Sequence, residues 1–161
     1  MEGLGLETVG VLLFKVETKR TAKLFHIFYF SSCLQNIFEI APGALALFSF
    51  KDEKPLYESD KLKKHGLTVV STVGKAVAGL RDVEKLVPVL ESLGKAHAAY
   101  GVEAEHFAVV GQALLKTLEM GLGDGYTDEV QKAWATVFEV VSTNMIKGLN
   151  EAKAEKEKNK A

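Results

Sequence analysis

Residues 61–80 read Lys61-Leu-Lys-Lys-His65-Gly-Leu-Thr-Val69-Val-Ser-Thr-Val73-Gly-Lys-Ala76-Val77-Ala-Gly-Leu80. Leu62, Val69, Val73, Ala76, Val77 and Leu80 recur at steps of three and four, the spacing that keeps returning to one side of an α-helix. The stretch predicts an amphipathic helix, and it sets His65 on the apolar stripe. Arg81-Asp82 closes it, and a second segment runs through Val87, Leu90 and Leu93 to His97 at the same steps. A second histidine therefore ends a second apolar face. Gly101 is a helix stop, because glycine takes the left-handed conformation without a Cβ clash.

The pattern continues in both directions. Phe107, Val110, Ala113, Leu114, Thr117, Leu118 and Leu122 mark a helix over residues 103–122, ended by Gly121, Gly123 and Gly125. Thr127-Asp128-Glu129 reads as an N-cap followed by first-turn acids, which favour the positive end of a helix. The helix it opens carries Val130, Trp134, Val137, Phe138, Val141 and Met145, and the charged repeats of residues 151–161 read as a solvated helix end or a frayed tail. Upstream, Pro42 pushes its predecessor out of the helical region and opens a short helix reaching Phe48. Residues 51–60 are a charged loop, and the aromatic block 24–30 has no clean period. Prolines stand only at 42, 55 and 88, so the chain reads as all-α.

At 161 residues one domain is expected, long enough to bury a core without a disulfide or structural metal. Cys33 is the only cysteine and reads as a small buried apolar residue in a reducing compartment. Twenty Lys and Arg against twenty-one Asp and Glu exclude a nucleic-acid binder that relies on a broad basic field. No apolar run approaches the roughly 20 residues that span a bilayer, and residues 1–10 do not read as a secretory signal. The expectation is a cytoplasmic protein with no nucleic-acid or membrane partner, monomeric or homodimeric.

Two inward histidines on separate helices suit a metal, since neutral imidazole is a common ligand and anchors haem iron in helical pockets. A third ligand at zinc spacing is missing: His26 lies in the aromatic block, His106 has no partner nearby, and no His-Glu-x-x-His occurs. Haem needs a flat apolar slot with polar groups at its mouth. Phe48, Val69, Val73 and Phe107 suit the slot and Lys61 the mouth, although periodicity alone describes an ordinary core equally well.

Linked motifs separate the two readings. Leu62-Lys-Lys-His65-Gly-Leu-Thr-Val69 resembles the globin helix that carries the distal histidine. Leu93-Gly-Lys-Ala-His97-Ala-Ala-Tyr-Gly101-Val102 resembles the segment that carries the proximal one. Pro42 followed by Phe48 matches the proline that opens the short third helix and the phenylalanine wedged against haem, and Trp134 sits where many globins have tryptophan. Residues 38–50 are similar to plant non-symbiotic haemoglobins, and residues 90–123 to neuroglobin. The resemblance implies a three-over-three helical sandwich around haem b and its iron, held by His97 with His65 as a displaceable sixth ligand. It further implies haem contacts from Phe48, Val69, Val102, Phe107 and Leu34, with Lys61 and Ser49 at the propionates. Diatomic gases, O2, NO or CO, are the implied ligands. The alternative is NO dioxygenase or nitrite reductase activity at the same haem, served by an external reductase.

The first helix departs from the family. Counting back eight from Pro42 reaches Leu34, where the family has phenylalanine over the distal pocket. Yet Gly10-Val-Leu-Leu-Phe14-Lys15, joined directly to Asn36-Ile-Phe-Glu-Ile-Ala-Pro42, would restore the family pattern with Phe14 in that place. Residues 16–35 then read as an insertion, and Phe28-Tyr-Phe-Ser-Ser-Cys-Leu-Gln35 is what a pyrimidine-rich tract ending in CAG encodes, as in a retained intron. On the plain reading, residues 8–19 and 22–38 are the first two helices and Leu34 faces the iron. Both readings stand at the level of sequence.

Overall fold

The computed structural model describes residues 22–79 and 82–159. Residues 8–19 and Phe14, on which the reading of the first helix turns, lie outside them. Five α-helices follow in order: α1 (Ala22–Ile40), α2 (Asp60–Gly79), α3 (Val83–Ala98), α4 (Ala104–Leu122) and α5 (Asp128–Lys158). Short 3-10 turns at Pro42–Leu47, Leu56–Glu58 and Gly123–Gly125 join them. No helix among the described residues is long and apolar enough to cross a membrane.

Local chemistry sets the ends of these helices. Asp82 caps α3 through a carboxylate that accepts from the Lys85 backbone N–H, and Thr127 caps α5 by accepting from Val130 N–H at 3.3 Å. Glu103 caps α4 in a reciprocal box: its side chain accepts from the His106 N–H, while His106 Nδ1 accepts from the Glu103 N–H at 3.0 Å. Gly101 stops the chain after α3 with φ of 74°, the left-handed turn expected of it. Pro88 falls inside α3, which begins four residues before the Val87 that opens the apolar pattern. The i→i−4 ladder has already begun at Leu86, whose N–H donates to the Asp82 carbonyl at 3.2 Å, so Pro88 leaves the Glu84 carbonyl without the donor another residue would supply.

Helices α1 and α4 pack together, as do α1 and α2, and α3 lies along α5. Among the described residues, buried apolar side chains gather in two clusters. One joins Ala76 of α2, Leu86 and Leu90 of α3, Phe107 of α4 and Ala133, Val137, Met145 and Leu149 of α5, with Leu93, Val102 and Trp134 packed against it. The other joins Cys33, Leu34, Ile37 and Phe38 of α1 with Phe50, Leu62 and Ala113, and Phe48 and Val69 pack on it. A buried polar bond ties α1 to α4, Asn36 Nδ2 donating to Thr117 Oγ1 at 3.0 Å, and Thr117 in turn donates to the Ala113 carbonyl at 2.6 Å.

Candidate functional site

The two histidines stand on different helices, His65 against residues of one cluster and His97 next in sequence to Ala98, which packs against the other. His65, half-buried on α2, meets Phe48 edge-on with ring centroids 5.4 Å apart and lies 5.9 Å from Phe50. Phe48 stacks on Phe50 at 4.9 Å and meets Phe38 edge-on at 5.4 Å, so an aromatic group from two segments buttresses one side of the imidazole. Leu34 is 1% exposed in the same cluster, beside Val69, which stands one helical turn beyond His65. Four sequence-expected residues thus come together: His65, Phe48, Val69 and Leu34.

His97, half-buried near the end of α3, follows Leu93 by one turn and sits beside the other cluster, where Val102 and Phe107 also pack. Its Nδ1 lies 2.8 Å from the Leu93 carbonyl oxygen. A carbonyl only accepts, so Nδ1 carries the proton. In the neutral ring Nε2 then presents its lone pair, the arrangement that metal-binding imidazoles share. Tyr100 meets the ring edge-on at 6.3 Å.

His65 also responds to its surroundings. Burial first, and then the charge of His97, hold His65 below the ordinary histidine value, so at neutral pH its imidazole is uncharged and able to ligate. Among the described residues no group of three or more His, Cys, Asp or Glu gathers as a metal site. A centre built on two imidazoles and apolar walls fits a group that brings further donors of its own, as haem does, better than a bare ion.

Two expected mouth residues lie at the surface. Lys61 opens α2 on the surface, where Nζ is 2.7 Å from Glu53 Oε1, and Ser49 is exposed. His106 is absorbed by the α4 capping box. Sequence reasoning missed the Phe50 contact with His65, although the Phe48-Ser-Phe50 alternation was its available signal.

A family model described as Globin matches residues 31–145. Neuroglobin of Danio rerio is 34% identical over 117 residues, covering 70% of this chain and 74% of that protein. An anaerobic nitrite reductase of Arabidopsis thaliana is 41% identical over 110 residues, 65% of this chain and 69% of that one. A second anaerobic nitrite reductase, from Gossypium hirsutum, is 36% identical over 138 residues, covering 83% and 82%. Among solved structures, a hexacoordinated heme protein from an anhydrobiotic tardigrade superposes with a TM-score of 0.75 at 20% identity, covering 86% of this chain and 92% of that one. A deoxy haemoglobin from Dasyatis akajei gives 0.73 at 18%, covering 88% and 96%.

Proposed function

The chain belongs to the globin family, and on that premise we propose that it holds haem b between α2 and α3 and reversibly binds O2, NO or CO. His97 is the fixed ligand and His65 a displaceable sixth one. The observation that carries this reading is a pair of half-buried histidines on separate helices, His97 with its Nδ1 tied to the Leu93 carbonyl and His65 set against Phe48 and Phe50.

When bound, haem would supply an iron that takes a permanent protein ligand and exchanges a second one. The hydrogen bond to Leu93 fixes the orientation of the His97 ring, which would hold the iron. His65 would serve as the exchangeable ligand or donate a hydrogen bond to a bound gas, which counts for more in a pocket from which water is excluded. Phe48, Val69 and Leu34 wall the His65 side, and Val102 and Phe107 the other. Ser49 and Lys61 serve the propionates, Lys61 exchanging its carboxylate partner Glu53 for one of them.

The visible spectrum tests these assignments. His97→Ala should abolish haem retention, while His65→Leu should keep haem and turn a six-coordinate spectrum five-coordinate. Unchanged spectra in both variants would defeat the reading. A second reading draws on the similarity to plant proteins named as nitrite reductases: reduction of nitrite by the ferrous protein, or oxidation of NO by its oxygenated form, with electrons from an external reductase. Turnover with a reductase supplied, set against simple ligand release, separates the two.

The chain is further proposed to be one domain in which α1 serves as the helix over the pocket with Leu34 as its lid. This is supported by the burial of Leu34 beside Phe48 and Val69.

A further inference from the structure

The helix that carries His97 is seated on α5 through two glycines that each meet the other helix's backbone. A Cβ on Gly94 would stand 1.9 Å from the Met145 carbonyl oxygen, and one on Gly148 would stand 2.0 Å from that of Glu91. Both glycines are buried within helices, and the positive φ values belong to Gly101 and Gly123 instead. Closeness of approach, and not backbone freedom, is what demands a residue without a side chain here. Ion pairs span the same two helices: Lys147 Nζ lies 2.6 Å from Glu91 Oε1 and Lys95 Nζ 3.0 Å from Glu151 Oε2. Lys153 pairs with Glu103 where α4 begins.

Gly94 adjoins Leu93, the residue whose carbonyl orients His97, and precedes His97 by three positions. A helix is stiff over one turn, so displacement at Gly94 is carried to the His97 ring. His65 stands on α2, which is not one of the two helices that meet at this crossing. We propose that the Gly94–Gly148 crossing is a positioning device: it sets where His97 stands relative to His65, and thereby the balance between six-coordinate and five-coordinate iron. The proposal rests on the haem reading above. A methyl group at either glycine must drive the two backbones apart by on the order of 1 Å before ordinary contact is restored, a misplacement large enough to matter in a ligand site.

Gly148→Ala in the full chain is the test, because it alters α5 and leaves the sequence of the His97 helix untouched. The variant is expected to take up haem with an altered ratio of six- to five-coordinate iron in its absorption spectrum and a CO association rate changed about tenfold. His97→Gly supplied with free imidazole is the second arm. There the ligand is no longer tethered to α3, so adding Gly148→Ala should leave spectrum and rate where they were. A haem-loaded Gly148→Ala chain with the wild-type spectrum and rate overturns the proposal, as does an effect of equal size in the imidazole background.

Should the alanine chain fail to fold, Lys95→Glu combined with Lys147→Glu decides. These place like charges across the same crossing without adding buried atoms, and the expected spectral shift at low salt should vanish at high salt. A wild-type spectrum at low salt overturns the proposal. If His97→Gly keeps the wild-type spectrum without imidazole, it is the haem reading itself that fails.

Discussion

Cys33 shows how far burial governs one side chain. Desolvation raises its thiol from 9.0 to about 11, and a hydrogen bond with Thr117 only partly offsets the rise. The thiolate is the nucleophile, so native protein should resist maleimide at neutral pH and react once denatured. Between pH 9.0 and about 11 the unfolded chain has given up this proton while the folded chain keeps it. Stability contributed by the site is therefore lost as pH rises through that window and is unaffected below it. Urea titrations on either side of the window should show a smaller alkaline loss for Cys33→Ala than for wild type. That Cys33 is buried was legible from its residue type. Its bond to Thr117 was not, because the partner lies on α4, far along the chain. Asn36 hid more: a polar residue beside Ile37 and Phe38 interrupts the stripe, and only its distant partner Thr117 explains why it is buried.

At the scale of the element, caps and stops were the most readable features, since each depends on a few neighbouring residues. Thr127 was expected as an N-cap and serves as one. Thr127→Ala should cost about 1 kcal/mol, read from the urea midpoint at unchanged slope. Helices α2, α4 and α5 announced themselves by period, and α3 by the run from Val87 to His97. The seating of α3 on α5 did not. Gly94 and Gly148 in sequence resemble mild helix weaknesses, and only the facing backbones reveal them as a contact. A carbonyl of another helix leaves no trace in the residue pattern on either side, so crossings of this kind are found in three dimensions or not at all.

For the whole molecule, the open question left by the sequence is which segment closes the His65 side. Residues 22–40 form one continuous helix whose Leu34 and Ile37 are buried with Phe50 and Leu62. A chain lacking residues 16–35 loses Leu34, Cys33 and most of that helix. It is expected to retain haem poorly, measured as the fraction transferred to an acceptor protein in excess. Retention equal to that of the full chain would instead assign the lid to Phe14 and support the insertion reading.

The proposed use of His65 and His97, two half-buried residues brought together from separate helices, has a thermodynamic consequence. A group held by both binds the folded chain far better than the unfolded one. Its concentration then enters the folding equilibrium: at a free level a thousand times its dissociation constant, the fold gains about 4 kcal/mol. The amount of intact protein in a cell then follows the supply of its prosthetic group, and turnover of the unloaded chain becomes a gauge of that supply.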